Sequence, residues 1–492
     1  MGKIGKKTGK VVFVILVLAL IYIIVGATVP FMSQKEVSEE YKNEFDVGKF
    51  YGDETTSSVD RAALVEDSMD ALHIRLRMIE DAREQIIISS FSIKTDRSAT
   101  EVMSTLRAAA DRGVRIKIIA DGLISGMAMK SDPMFFVLAA YPNVEIKYYN
   151  VPTLIKPWTF QGRMHDKYII VDDKLLLVGG RNTSDLFLAD YDREHLSYDR
   201  EVLIYNTGDV NESVISQVLN YFDEIWNCKD SETVFEDPGR GKRKDMAAAG
   251  ENLNQVYAAL REEKRELYRE EGTYSQEYDP QRFAYYEGGT VATRKVTFIA
   301  NPITIMGKEP TVWYELTELM KQARLRVLIH MPYMVFNDQM YQDMTDIVNQ
   351  TGNATVVTNS IAGGENIMAS SDYYLNRKKI IKTGVSLYEY QGDHSMHAKS
   401  LLVDDNISVI GSLNSDIRSV YLDTESMLVI DSKEFNRILL DAVTEKQNES
   451  LAVDADGDYI PRTGVEELSI PGIKKIIYTI LSLPAQLFRY LM

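Results

Sequence analysis

Hydrophobic residues form one unbroken run near the N-terminus. Residues 11–29, VVFVILVLALIYIIVGATV, carry no charge, and a helix of that length spans about 28 Å, close to the apolar thickness of a bilayer. The run predicts a membrane anchor within residues 1–35, with a signal peptide cleaved after Val25-Gly26-Ala27 as the alternative. Lysines precede the run, which predicts a single-pass protein of the cell membrane with its N-terminus inside and its body outside.

A second apolar pattern lies at the C-terminus, in residues 466–492. Apolar residues recur there at near-helical spacing with basic residues among them: Ile473, Lys474, Lys475, Ile476, Ile477, Ile480, Leu481, Leu487, Arg489 and Leu491. The pattern predicts an amphipathic helix that lies on an anionic lipid surface. A terminal helix packed on the protein core is the alternative.

Between the ends, apolar runs of strand length alternate with helical patterns. Residues 164–182 (MHDKYIIVDDKLLLVGGRN) resemble residues 396–414 (MHAKSLLVDDNISVIGSLN), and each stretch predicts a strand, an Asp-Asp turn and a second strand. The alternation predicts an α/β domain that is duplicated over residues 36–235 and 291–465. Residues 236–290 are charge-dense and predict a linker with a solvated helix, with a functional lid as the alternative.

Composition and charge narrow the class of protein. The 492 residues are 45% hydrophobic and 26% charged, which excludes a wholly disordered or collagenous chain. One cysteine, Cys228, excludes an internal disulfide and a cysteine-rich metal site. The net charge of −17 argues against broad nucleic-acid binding.

The candidate chemistry lies in the two repeats. Each has a His and a Lys two residues apart, then an Asp five residues after the Lys, and then a glycine turn that ends in Asn. The matching positions are His165, Lys167, Asp172, Gly180 and Asn182 in the first repeat, and His397, Lys399, Asp404, Ser412 and Asn414 in the second. Two such matches with the same offsets do not arise by chance.

These residue types suit displacement at a phosphodiester. A neutral imidazole can attack phosphorus to form a phosphohistidine, while an imidazolium protonates the leaving oxygen, and the roles reverse in the second step. Two lysines and the glycine-turn residues, Gly180, Asn182, Ser412 and Asn414, can then hold the phosphate. This chemistry needs no metal or other cofactor.

The repeats resemble the paired HKD motifs of the phospholipase D superfamily. The resemblance covers roughly residues 60–235 and 290–435, and the phrases GRMHDKYIIVDD and HAKSLLVDD are most similar to bacterial cardiolipin synthases. It implies two pseudo-symmetric α/β/α lobes that share one active site. This sequence departs from typical cardiolipin synthases in having one N-terminal apolar segment rather than two.

The family also implies acidic residues that orient the histidines. Glu425, 28 residues after His397, fits this role. Glu201 is the first-half candidate because YDREVLI aligns with LDTESML, although Glu201 lies 36 residues after His165. Asp199 is the rival, and Asp172 and Asp404 are expected to be structural turn residues.

The resemblance implies a membrane-tethered phosphatidyltransferase of cardiolipin synthase type, acting on phosphatidylglycerol or a related phospholipid. By analogy His165 is the nucleophile and His397 the acid, although pseudo-symmetry permits the reverse. The alternatives are a phospholipase D-type lipid hydrolase, a nuclease of the same superfamily, and a non-catalytic lipid-binding protein. His73, His195 and His330 are expected to be structural, and His394 either structural or at the site entrance.

Overall fold

The structure, a computed structural model, describes residues 2–192, 194–235, 239–263 and 281–492. It begins with a helix over Gly2–Thr28, and the segment Thr8–Phe31 is long and apolar enough to cross a membrane. None of its apolar window is buried against the rest of the chain. The expected N-terminal apolar helix is therefore present.

The helices of the described residues begin in several cases at capping side chains, such as Asp67, Asp96 and Ser432, which accept hydrogen bonds from backbone N–H groups of the first turn. In chain order they are α1 (Gly2–Thr28), α2 (Glu39–Glu44), α3 (Ser68–Asp81), α4 (Arg97–Asp111), α5 (Ile124–Met129), α6 (Pro133–Ala139), α7 (Val214–Asn227), α8 (Gly239–Glu263), α9 (Gln281–Gly289), α10 (Thr311–Lys321), α11 (Asp338–Thr351), α12 (Ile367–Ile381), α13 (Ile417–Tyr421), α14 (Lys433–Asn448) and α15 (Gly472–Leu487).

The first half of the chain builds one nine-stranded sheet. Its strands, with the short β7 that lies outside the sheet, are β1 (Asp60–Val65), β2 (Gln85–Ser90), β3 (Arg115–Asp121), β4 (Val144–Tyr149), β5 (Lys167–Val171), β6 (Leu175–Gly179), β7 (Ser197–Tyr198), β8 (Glu201–Asn206), β9 (Ser231–Thr233) and β10 (Val291–Ala292). The spatial order is β10-β1-β8-β6-β5-β2-β3-β4-β9. Strands β2, β3 and β4 are parallel, and β5, β6 and β8 are antiparallel to their neighbours.

The second half builds a second nine-stranded sheet. The remaining strands are β11 (Lys295–Ala300), β12 (Val327–His330), β13 (Met334–Val335), β14 (Ala354–Asn359), β15 (Ser386–Tyr390), β16 (Ser395–Met396), β17 (Ser400–Val403), β18 (Ile407–Gly411), β19 (Ser415–Asp416), β20 (Ser426–Asp431), β21 (Ser450–Val453) and β22 (Tyr459–Ile460). The short strands β13, β16 and β19 lie outside this sheet, and β22 is its edge strand next to β21. The order β11-β20-β18-β17-β12-β14-β15-β21 repeats β1-β8-β6-β5-β2-β3-β4-β9. The predicted duplication of one α/β domain into two lobes is confirmed.

The two lobes share one apolar core. Ile170 and Val178 of the first sheet belong to the same buried cluster as Leu402 and Ile410 of the second, together with residues of α7 and α14. A separate cluster covers the other face of each sheet beneath the outer helices. Burial on both faces explains why the strands read as continuous apolar runs, and the shared core holds the repeats against each other.

Helix α8 lies in the stretch that was expected to be a linker with a solvated helix, but it packs against the first lobe. Leu253 and Leu260 of this helix are buried against the first lobe, and Arg107 of α4 donates a hydrogen bond to the Gly250 carbonyl oxygen. Apolar residues at helical spacing provide the contact, while the charges occupy the other face. The rest of the predicted charged stretch includes residues 264–280, which lie outside the described residues.

The C-terminal helix α15 has two different faces. Tyr478 is fully buried, and its hydroxyl donates a hydrogen bond of 3.2 Å to the Ile361 carbonyl oxygen. Ile473, Ile476 and Ile480 are exposed. The helix packs on the second lobe through one face and leaves an apolar face uncovered by the described residues.

Candidate active site

The two motif histidines lie where the lobes meet. His165 stands just before β5, and its backbone N–H donates a hydrogen bond of 3.2 Å to the Thr424 carbonyl oxygen of the second lobe. His397 stands just before β17, and its N–H donates a hydrogen bond of 2.6 Å to the Tyr198 carbonyl oxygen of the first lobe. Parallel pairing of β16 with β7 extends this second contact. Each histidine is therefore held by the backbone of the opposite lobe.

A carboxylate from the opposite lobe orients each imidazole. Glu425 Oε1 lies 2.8 Å from His165 Nδ1, and Asp199 Oδ2 lies 2.6 Å from His397 Nδ1. A carboxylate at Nδ1 sets the tautomer and leaves Nε2 for chemistry. Glu425, the residue expected to orient a histidine, lies at His165, the histidine of the other repeat.

The expectation for Glu201 is wrong, and Asp199 takes its place. Glu201 is buried and accepts hydrogen bonds from both terminal nitrogens of Arg75, one of them 2.7 Å long. The reason is the strand register: Gly179 pairs with Glu201, whereas its counterpart Gly411 pairs with Met427. Asp199 is therefore the structural counterpart of Glu425, two residues from the position that the sequence alignment indicates.

Both motif lysines are buried at the histidines. Lys167 Nζ donates a hydrogen bond of 2.6 Å to the His165 carbonyl oxygen, and Lys399 Nζ lies 2.7 Å from His397 Nδ1 and 3.0 Å from Nε2. Burial, which disfavours a charged ammonium, lowers the pKa of Lys167 to about 7 and that of Lys399 to about 8. Both buried ammonium groups therefore lose a proton more readily than a solvated lysine does.

The two histidine–carboxylate pairs differ electrostatically. Burial and then Lys167 lower the pKa of His165 well below its usual value, and burial also raises the pKa of Glu425 well above its usual value. Burial and Lys399 lower the pKa of His397 to about 4, against the opposing effect of Asp199. Although burial acts in the opposite direction, Lys399 and His397 keep the pKa of Asp199 below its usual value. Of these two histidines, only His397 therefore faces a carboxylate whose own pKa is lowered, so that the carboxylate stays ionised.

The expected phosphate-binding positions divide into two kinds. Ser412 Oγ donates a hydrogen bond of 2.5 Å to Glu425 Oε2, and a Cβ added at Gly180 would lie 2.3 Å from Asp199 Oδ1. These two positions therefore accommodate the carboxylates. Asn182 lines the cleft described below, and Asn414 Nδ2 donates a hydrogen bond of 3.3 Å to Ser419 Oγ.

The motif aspartates stabilise turns. Asp172 and Asp404 have φ angles of 52° and 55° at the tips of the two hairpins, in the left-handed region. The Asp172 carboxylate accepts hydrogen bonds from the N–H groups of residues 83–85, and the Asp404 carboxylate accepts them from those of residues 324–326. Each carboxylate thereby ties its hairpin turn to the neighbouring backbone.

A cleft of about 340 Å³ opens onto the site. His397 and Asn182 line it together with apolar residues that include Phe91 and Phe187. The Phe91 ring lies edge-on to His165 at a centroid distance of 4.8 Å, and the Phe187 ring lies 4.9 Å from that of His397. One carboxylate, Glu365, also lines the cleft. The cleft can accommodate a substrate with polar and apolar parts.

The sequence did not reveal a buried network that joins the lobes beside the site. Arg200 is fully buried, donates hydrogen bonds of 2.7 Å to both Glu66 carboxylate oxygens, and donates one of 2.6 Å to Ser400 Oγ. Its Nη1 also lies 3.0 Å from His330 Nδ1, so His330 has the structural role expected of it. The position of Arg200 next to Asp199 is the one signal available in the sequence.

Two further histidines, His394 and His195, contact neighbouring side chains. His394 packs against Tyr198 at a ring distance of 5.3 Å, and exposed His195 lies 3.0 Å from Asp192 Oδ1. Within residues 2–192, 194–235, 239–263 and 281–492, no group of three or more His, Cys, Asp or Glu side chains is placed to hold a metal ion.

Comparison with known proteins supplies family relationships. The sequence matches the family profile described as "Cardiolipin synthase, PLD-like domain" over residues 76–226 and 316–445. It is 24% identical to an uncharacterized protein of Helicobacter pylori, covering 79% of this chain and 80% of that protein. It is also 24% identical to cardiolipin synthase C of Escherichia coli, covering 76% of this chain and 82% of that enzyme.

A solved structure shows the same fold. The crystal structure of phosphatidylserine synthase from Haemophilus influenzae superposes with a TM-score of 0.59 at 16% sequence identity. The match covers 88% of this chain and 95% of that one. At 16% identity this similarity is one of fold alone.

Proposed function

Because this chain belongs to the phospholipase D-like family of cardiolipin synthases, we propose that it is a membrane-tethered phosphatidyltransferase that acts through a phosphohistidine. The donor is phosphatidylglycerol or a related phospholipid, and the acceptor is the headgroup hydroxyl of a second lipid. The observation that carries the proposal is the meeting of two carboxylate-oriented histidines and two lysines at the lobe interface.

The first step breaks the phosphorus–oxygen bond to the headgroup. His165 Nε2 attacks phosphorus, a phosphorus–nitrogen bond forms, and His397 gives its proton to the departing glycerol oxygen. Lys167 and Lys399 neutralise the non-bridging oxygens, and Asn182 and Asn414 supply further hydrogen bonds. In the second step His397 takes the proton of the acceptor hydroxyl, whose oxygen displaces His165 to form cardiolipin.

The electrostatics support His165 as the nucleophile. A nucleophilic imidazole must be neutral, and the lowered pKa of His165 keeps it so across the physiological range. His397 faces Asp199, whose lowered pKa keeps it ionised and favourable to an imidazolium. A bound phosphodiester adds negative charge and engages Lys399, and both effects raise the pKa of His397 in the complex.

The tether is assigned to α1. Residues Thr8–Phe31 have the length and composition of a membrane span, and lysines precede them. By the distribution of these lysines, the catalytic lobes lie outside the cytoplasm.

The deciding experiment is a lipid mass profile after incubating the purified full chain with phosphatidylglycerol vesicles. We expect cardiolipin and glycerol from the protein and from His195→Ala, a control at an exposed histidine, and neither product from His165→Ala. Phosphatidic acid without cardiolipin would make the protein a hydrolase and refute the transferase. Absence of lipid turnover would refute both.

The order of the histidines has its own test. A phosphoenzyme from phosphatidylglycerol labelled with ³²P is expected to accumulate in His397→Asn and to be absent from His165→Asn. The opposite pattern would exchange the two roles.

A further inference from the structure

A tight loop in the first lobe displays two apolar side chains to solvent. Thr153 and Lys156 form an isolated bridge, and the Lys156 N–H donates a hydrogen bond of 3.1 Å to the Thr153 carbonyl oxygen. At the tip, Leu154 is 61% exposed and Ile155 is 78% exposed. The turn is built by its own hydrogen bonds, so these side chains are held outwards by the backbone.

This loop lies against the apolar helix α1. Tyr22 Oη donates a hydrogen bond of 2.6 Å to the Ile155 carbonyl oxygen, and a Cβ added at Gly26 would lie 3.0 Å from Pro157 Cγ. Tyr22 is six residues before Thr28, the last residue of α1, which is about 9 Å along the helix axis. The loop tip therefore lies beside α1, about 9 Å before the C-terminal end of that helix.

The C-terminal helix α15 begins at the rim of the cleft. At its start Lys474 donates hydrogen bonds of 2.7 and 2.9 Å to the carbonyl oxygens of Ala362 and Gly364, and Gly364 lines the cleft. The 16 residues of α15 extend about 24 Å.

Beyond the other end of α15, the C-terminal tail reaches the exit of α1. Arg418 donates hydrogen bonds to the Leu491 carbonyl oxygen, at 2.9 Å, and to the side chain of Gln161. Gln161 in turn donates a hydrogen bond of 3.2 Å to the Ala27 carbonyl oxygen near the end of α1. Helix α15 thus runs between the exit of α1 and the rim of the cleft.

We propose that the Leu154–Ile155 tip and the exposed face of α15 insert into the leaflet from which α1 emerges, so that the cleft opens at the lipid surface. The occupant of this apolar surface is the bilayer because the loop is in contact with the candidate membrane span itself. The net charge of −17 gives the body no general attraction to an anionic membrane. Apolar insertion therefore holds the cleft at its substrate. The inference rests on the proposed tethering by α1.

The test uses the full chain in phosphatidylglycerol-containing vesicles, with Cys228→Ser as background. Single cysteines replace Ile155 or Ile480, and nitroxide labels report their accessibility to oxygen and to a water-soluble nickel chelate. Leu325→Cys is the matched control because Leu325 is an apolar residue, 73% exposed, in the second lobe. We expect the labels at 155 and 480 to be accessible to oxygen and inaccessible to the nickel chelate. The label at 325 should be accessible to the nickel chelate.

A label at Val17 in α1 separates the two proposals. If the labels at 17, 155 and 480 all meet nickel, the tether itself fails. If only the label at 17 is in lipid, the tether stands and the inference of loop and α15 insertion is overturned. Shielding of 155 and 480 from both oxygen and nickel would indicate a protein partner and would also overturn it.

A functional readout uses two forms of the substrate. We expect Ile155→Asp combined with Ile480→Asp to lower turnover of long-chain phosphatidylglycerol in vesicles at least tenfold, with turnover of monomeric dihexanoyl phosphatidylglycerol unchanged. Leu325→Asp should leave both rates unchanged. Equal loss with both substrates, or no loss with vesicles, would overturn the inference.

Discussion

Replacing Asp199 by Asn tests the assignment of the orienting carboxylates most directly. The substitution keeps the size of the side chain and removes its charge, 2.6 Å from His397 Nδ1. At an effective dielectric constant of about 20, one charge at about 4 Å is worth roughly 4 kcal/mol. Loss of that stabilisation corresponds to a pKa of His397 lowered by about 3 units and to a loss of about 10³-fold in kcat.

The matched control is Glu201→Gln. Glu201 lies two residues away, is equally buried, and binds Arg75 rather than a histidine. Breaking this ion pair is expected to cost about 3–5 kcal/mol of folding stability. The kcat per folded molecule should remain within about threefold of the unmodified protein, because no group at the reacting phosphorus changes.

The assay measures cardiolipin formation from phosphatidylglycerol vesicles, with the folded fraction determined by circular dichroism and urea unfolding. We expect Asp199→Asn to fold normally and lose kcat, and Glu201→Gln to lose stability and keep kcat. A folded Asp199→Asn enzyme with kcat within threefold of the unmodified protein would refute the orienting role. Loss of kcat in folded Glu201→Gln would restore the sequence-based assignment.

Three further predictions follow from other contacts at the site. Because the pKa of Lys167 is lowered to about 7, its charge is present below that pH and lost above it. The KM for phosphatidylglycerol should therefore rise above about pH 7. In initial-rate measurements, Lys167→Arg should keep KM constant to higher pH. Gly180→Ala should lower kcat at least tenfold because its Cβ would lie 2.3 Å from Asp199 Oδ1, whereas Gly307→Ala, with open space around it, should not; equal rates for the two variants would contradict this. Arg200→Leu leaves Ser400 and His330 without their buried donor and Glu66 without its cation, and it should lower the free energy of unfolding by about 1–3 kcal/mol in urea titrations; an unchanged urea midpoint would argue against its role in joining the lobes.

Local pattern was sufficient to predict the duplicated α/β architecture. Strands buried on both faces read as apolar runs, and matching runs recur in the same order in both halves. Pattern could not predict that α8 packs on the first lobe, because a helix with one narrow apolar stripe has the same composition whether or not a neighbour covers it.

The chemistry-bearing residues were also visible in the sequence. His165, Lys167, His397 and Lys399 stand at repeated offsets, and the proposed reaction uses those residue types wherever the chain places them. Their pKa values were not visible, since burial at the interface of the two lobes is the main cause that lowers them. Those quantities exist only when the two lobes come together.

The two motifs, the repeated domain and the apolar N-terminal helix could be predicted from the residues alone, since each depends on residue type and spacing along the chain. Which carboxylate lies at which histidine depends on how the chain folds and how its two lobes pack. Asp199 and Glu201 are two residues apart, and the longer loop after Gly180 hides the offset from Glu425. Pairing of β6 with β8 sets the register, and packing of the lobes brings each carboxylate to the histidine of the other repeat. Both are contacts between distant parts of the chain, which no local pattern encodes.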